Sequence, residues 1–144
     1  MTDPLSVTAG VTGLVAFALQ GVRLLVNDIN NIKEAPKILE DLHADLKSVA
    51  SSLECLENIN ETQLRLLGDH VYSQSTVAIE RCKSTCFNFH SDLEHWTEGS
   101  HDGKLSWRDK ANIGIFKERQ IEAVSRQLQN CKLTLNTVAV TATL

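Results

Sequence analysis

Three side chains that can bind a soft metal recur at four-residue intervals. Cys82, Cys86 and His90 would lie along one face of a helix, where thiolate and imidazole groups are typical zinc ligands. A structural zinc ion needs four ligands, and no fourth residue stands at a spacing typical of such a site. Both cysteines also fall on an apolar seam, where cysteine packs as a small hydrophobe. We therefore expect reduced, buried thiols and no metal.

The remaining polar residues give no catalytic motif. His90 and Glu94 form an i,i+4 pair typical of a helix surface, and the other four histidines stand among polar residues: His43, His70, His95 and His101. The sequence contains no nucleophile elbow, phosphate loop or dinucleotide fingerprint. We expect no catalytic residue and no cofactor, so the protein is predicted not to be an enzyme.

Composition limits the class of protein further. The chain has 144 residues, a formal net charge of −4 and no basic block, which fits one domain and argues against nucleic-acid binding. The start, Met1–Asp3, is acidic and so unlike a secretory signal, and the four cysteines lack a secreted-domain spacing. We expect a cytoplasmic protein at rest. Charged runs such as Lys117–Arg119 are expected on solvated helix faces.

Hydrophobic spacing predicts the elements that position these residues. Three segments carry apolar residues at alternating steps of three and four, the pattern of a helix that buries one face. The seams are Leu39, Leu42, Leu46, Val49, Leu53 and Leu56; then Ile79, Cys82, Cys86, Phe89, Leu93 and Trp96; then Ile121, Val124, Leu128, Cys131, Leu135 and Val138. No stretch alternates like an amphipathic strand. The prediction is an all-α bundle of four to five helices, with the last helix interrupted near Gly114.

The first predicted helix differs from the other three. Asp3 and Pro4 suit its N-terminal cap and first position, and no charged residue occurs between Pro4 and Arg23. Such a helix is either buried against other helices or held for delivery to a membrane. Its glycines each cost about 1 kcal/mol against alanine, and they fit close helix packing or association in lipid.

Several segments together resemble a known family. Asp3-Pro4-Leu5-Ser6-Val7, then Lys33-Glu34-Ala35-Pro36 before the leucine seam, and the closing segment from Phe116 to Asn136 resemble the HeLo-like N-terminal domains of fungal STAND (NOD-like receptor, NLR) proteins. Such domains are related to the HET-S HeLo domain and to the four-helix killer domain of the necroptosis protein. The likeness spans residues 1–144 as one domain, with a linker to downstream domains expected to start at about residues 137–144.

The resemblance implies a cell-death effector of the kind involved in fungal heterokaryon incompatibility and innate immunity. It would oligomerise, move from the cytoplasm to the plasma membrane and form pores or otherwise disrupt the membrane through its first helix. The predicted membrane-interacting residues are Leu5, Val7, Gly10, Val11, Gly13, Leu14, Val15, Phe17 and Leu19. Expected partners are membrane lipids, further copies of the chain, and a downstream NTPase, repeat or amyloid signalling partner. The alternative is a non-lytic helical module that oligomerises or recruits proteins, since some relatives accompany secondary-metabolite clusters.

Overall fold

The computed structural model describes the backbone of residues 4–33, 35–59, 61–96, 105–106 and 114–143, and the side chains of residues 10–32, 35–59, 61–96 and 117–141. These residues form five helices: α1 Pro4–Asn30, α2 Lys37–Glu57, α3 Glu61–Arg65, α4 Asp69–Trp96 and α5 Gly114–Thr143. The predicted all-α class is confirmed.

Proline and glycine mark the helix boundaries. Pro4 is the first residue of α1, where its missing N–H is no loss, and Pro36 precedes α2 with φ −66°. Gly68 separates α3 from α4 with φ 105°, a conformation that glycine adopts without steric cost. The interruption expected near Gly114 is instead the start of α5, which then runs on through Thr143. The expected linker near residue 137 therefore continues as helix, with Val138 still buried.

The four long helices form a bundle. α1 packs against α2 and α4, and α5 packs against the same two helices, so α1 and α5 occupy opposite corners. Side-chain contacts set the directions: Gly21 lies beside Phe87 and Asp28 beside His90, so α1 and α4 run parallel. Thr85 contacts Gln127, and Asp92 contacts Gln120, so α4 and α5 run antiparallel.

All three predicted seams line the core. Every residue of the α2, α4 and α5 seams is at least nine-tenths buried, which confirms the helical spacing as the signal for the buried face. α1 adds a fourth inward row: Val11, Val15, Ala18, Leu19, Val22, Leu25 and Ile29. Polar contacts between helices also occur inside this packing; for example, Ser52 Oγ of α2 donates a hydrogen bond to Asn136 Oδ1 of α5 at 2.7 Å.

A short strand pair is the exception to the all-helical prediction. β1, Ile32–Lys33, follows α1, and β2, Leu105–Ser106, lies between α4 and α5; the two pair in parallel, with Ile32 opposite Leu105. Two residues are too few to show an alternating pattern in the sequence, and the pair leaves the all-α class unchanged. The pair joins the connections at one end of the bundle.

Candidate functional site

The inward face of α1 is used for packing. Of the predicted membrane-interacting residues, Val11, Val15 and Leu19 are buried, Gly10, Gly13 and Leu14 are half-buried, and Phe17 is 53 % exposed. Leu5 and Val7 lie in α1, but their side chains fall outside the described residues. At rest, the apolar character of this helix therefore serves the bundle core.

By length and composition, α1 could still cross a bilayer. The segment Gly10–Asn30 has a mean hydropathy of 1.4 and is the one such helix among the described residues. A buried core helix passes the same test, so this property by itself does not distinguish the two uses.

Gly21 is where α1 and α4 approach most closely among the glycine positions described. A Cβ atom added there would lie 3.0 Å from Cε2 of Phe87 and 3.3 Å from Cβ of Cys86. The absence of a side chain thus lets the two helices pack closely, as expected if the glycines of α1 serve close helix packing.

α1 is broken at Gly10. This residue has φ 55° and ψ −133°, outside the helical region, and a Cβ atom there would overlap the Glu61 carboxylate. Glu61 is held in place by α3 and α4: the Tyr72 hydroxyl donates a hydrogen bond to Glu61 Oε1, and Arg65 Nη2 lies 3.4 Å from the same oxygen. The Arg65 guanidinium also stacks 4.3 Å above the Tyr72 ring. The hydrogen bond to Glu61, together with burial, raises the pKa of Tyr72.

Asp28, His90 and Glu94 form a second polar cluster, between α1 and α4. His90 Nδ1 contacts Asp28 Oδ2, and His90 Nε2 lies 3.1 Å from Glu94 Oε1, so the predicted i,i+4 pair is confirmed. A neutral imidazole carries one N–H, so the two contacts together need one further proton, on the ring or on either carboxyl group. Burial raises the pKa of Asp28, an effect that its hydrogen bond with His90 offsets in part. With carboxylates at both ring nitrogens, His90 offers neither to a substrate.

The cysteines divide into one exposed and three buried thiols. Cys55 is exposed, and Cys82, Cys86 and Cys131 are free and buried. The Cys131 thiol donates to the Ala78 carbonyl at 3.3 Å. Its hydrogen bond with Cys82, together with burial, raises the pKa of Cys131. The bond to Cys131 lowers the pKa of Cys82, but the contact with Cys86 and burial outweigh this and raise it.

The part of the chain with described side chains contains no group of three metal-binding residues placed to hold an ion. His90, the third residue of the considered zinc set, is engaged by Asp28 and Glu94. The buried thiols of the set thus serve as core side chains, as expected for protonated cysteine.

Lys117 corrects one expectation from the sequence. It was assigned to a solvated face with its charged neighbours, but it is only 1 % exposed, whereas Glu118 and Arg119 are exposed. Its Nζ lies 4.9 Å from the centre of the Trp96 ring at the end of α4, so an aromatic face stabilises the buried charge. The spacing does carry a signal, because Lys117 stands four residues before Ile121 and so continues the α5 seam by one step.

Comparison with known proteins identifies the family. Residues 2–144 match the family model described as the N-terminal domain of pigment biosynthesis cluster protein PigL. Because the match covers almost the whole chain, the chain belongs to this family. No curated protein and no solved structure matches.

Proposed function

We propose that this PigL N-terminal domain is a non-enzymatic effector that oligomerises and disrupts membranes through α1. The observation that carries the proposal is the absence of charge from Pro4 to Val22, in a helix whose segment Gly10–Asn30 has the length and composition to cross a bilayer. The resemblance to HeLo-like domains of fungal NLR proteins supports the same function. On this proposal the resting protein is cytoplasmic and its activated form binds plasma-membrane lipids as an oligomer.

Burial sets the energy that activation must supply. Val11, Val15 and Leu19 are buried, and removing each from the core costs about 1.5–3 kcal/mol. Freeing α1 as far as Leu19 therefore costs roughly 5–9 kcal/mol. This is comparable with the whole stability of a domain of this size, roughly 5–15 kcal/mol. Spontaneous release is therefore rare, and favourable interactions with other copies of the chain and with lipid must offset this cost.

A second candidate function is a non-lytic module that oligomerises or recruits proteins while α1 stays in the bundle. The observation that favours it is the inward row of α1, which already fills the core. The two functions differ in whether α1 leaves the bundle and inserts into the membrane.

The test uses Ala16, which is exposed at rest and lies about 5 Å along the helix from the centre of the charge-free stretch. The resting fold should tolerate Ala16→Asp and Ala16→Lys, at most about 0.7 kcal/mol in helix propensity. In lipid, either charge costs about 2.5–3.5 kcal/mol, or about 60- to 300-fold in membrane affinity. The buried Val11 and Val15 would confound the test, because a charge there also disrupts the core.

We would measure binding to, and dye leakage from, vesicles of phosphatidylcholine and phosphatidylserine, with the chain joined at its C-terminal end to a trimeric coiled coil. Ala44, exposed on α2, provides the matched controls Ala44→Asp and Ala44→Lys. Loss of leakage in both Ala16 variants and in neither Ala44 variant supports insertion of α1. Unchanged leakage in folded Ala16 variants would overturn the proposal, and oligomers that never bind vesicles would favour the non-lytic module.

A further inference from the structure

The break at Gly10 shortens the charge-free part of α1 that forms one continuous helix. From Val11 to Val22 the helix has 12 residues, about 18 Å, whereas an unbroken helix from Pro4 to Val22 has 19 residues, about 28 Å. The hydrocarbon core of a bilayer is about 30 Å thick. Only the unbroken helix therefore brings a charge-free stretch close to this thickness.

Side chains from outside α1 lie against the break. Glu61 of α3 occupies the space beside Gly10, and the hydroxyl of Tyr72 on α4 fixes its carboxylate. Arg65 Nη2 lies 3.2 Å from the Tyr72 hydroxyl and 3.4 Å from Glu61 Oε1. We call Glu61, Arg65 and Tyr72 the Glu61 cluster. Glu61 is 28 % exposed and Arg65 62 % exposed, so water screens their ion pair and Tyr72 is the better-placed anchor.

We propose that the Glu61 cluster keeps α1 broken at Gly10, and that its loss lets α1 straighten into a single helix whose charge-free stretch approaches the thickness of a bilayer. The assignment of the straight helix to a membrane rests on the proposed function. Gly10 suits both forms, since it adopts φ 55° without a steric penalty and can also adopt helical angles. Any residue with a Cβ atom would meet the Glu61 carboxylate in the broken form and would favour the straight one.

Two substitutions act on the two sides of this contact. Gly10→Ala removes the residue that tolerates the break, and Tyr72→Phe removes the hydroxyl that fixes Glu61 while keeping the ring under Arg65. Gly68→Ala is the control for the first, because Gly68 also has a positive φ, 105°, but has no atom within 4 Å of an added Cβ. Thr76→Val is the control for the second, because it removes another hydroxyl of α4, which donates to the Tyr72 carbonyl.

The measurement is residue-resolved hydrogen exchange by NMR on the whole chain in water, without lipid. The amides just after a helix start lack partners within the helix, so those of Val11 to Leu14 should exchange quickly in the broken form. In Gly10→Ala and Tyr72→Phe they should exchange about tenfold more slowly, because a continuous helix bonds them. General loss of stability has the opposite sign, since it speeds exchange.

Slower exchange at these amides in both variants, and not in Gly68→Ala or Thr76→Val, supports the proposal. Unchanged or faster exchange overturns it, whatever the vesicles show. Leakage from vesicles of phosphatidylcholine and phosphatidylserine is then measured on the same variants. A straightened α1 without raised leakage would leave the Glu61 cluster as a conformational device and would contradict the proposed membrane function alone.

Discussion

Replacing Leu19 by alanine tests whether α1 is part of the resting core. Leu19 is 1 % exposed, and truncating a leucine buried to this extent costs about 2–5 kcal/mol through lost burial and the cavity left behind. For a chain of 144 residues, each kcal/mol corresponds to about 2–4 °C in the unfolding midpoint. The expected fall is thus roughly 4–20 °C, with the middle of that range the best single value.

Leu133 provides the matched control on α5. It is 65 % exposed, so Leu133→Ala should change the free energy of unfolding by less than about 0.5 kcal/mol. Urea unfolding followed by far-UV circular dichroism gives both values, with an unchanged slope showing that the two variants unfold from the same folded state. If Leu19→Ala were no more destabilising than Leu133→Ala, α1 would not pack in the resting bundle, and the estimated cost of releasing it would be wrong.

Two further predictions concern titration and thiol reactivity. Burial, with a smaller effect of Lys47, lowers the pKa of His43 from 6.5. The stability that depends on neutral His43 is therefore present above pH 6.5 and is lost as the pH falls towards the folded-state pKa. His43→Gln should lose less stability on this acidification than the unaltered chain, whereas the control His70→Gln, which replaces an exposed histidine, should lose as much as the unaltered chain. An equal loss in His43→Gln would contradict this origin. Of the four thiols, the exposed Cys55 alone should react quickly with iodoacetamide in the folded chain, and Cys55→Ser should abolish this fast labelling; a second fast thiol would contradict the burial of the other three.

The sequence predicted the bundle because the spacing of apolar residues that indicates a helix lies within a single segment. Leu39 and Leu42, or Phe89 and Leu93, stand at helical spacing within one segment, and one-sided burial is enough to account for them. The same spacing correctly placed Cys82 in the core. It could not decide how α1 is used, because core helices and membrane helices are both apolar.

The contacts of the candidate site could not be predicted from the sequence. Asp28 and His90 are 62 positions apart, and Gly10 of α1 lies beside Glu61 of α3. Because each contact joins two different helices, the spacing of residues within one segment cannot predict it. The expectation for Lys117 was wrong for a different reason: its charge predicted solvent exposure, whereas in the folded bundle the Trp96 ring of α4 lies beside its buried ammonium group. Pairing of Ile32 with Leu105 likewise depends on two connections that the fold brings together.

That strand pair ties the carboxyl end of α1 to the rest of the bundle. β1 follows α1 directly and is bonded to β2, while Asp28, near the same end, contacts His90 of α4. The first charges after the apolar stretch, Arg23 and Asp28, also lie towards this end. An α1 that enters a bilayer would therefore enter with its amino end leading, and its carboxyl end would stay with the bundle in water. If α1 inserts as proposed, the end that the fold ties down sets the orientation of the helix in the bilayer.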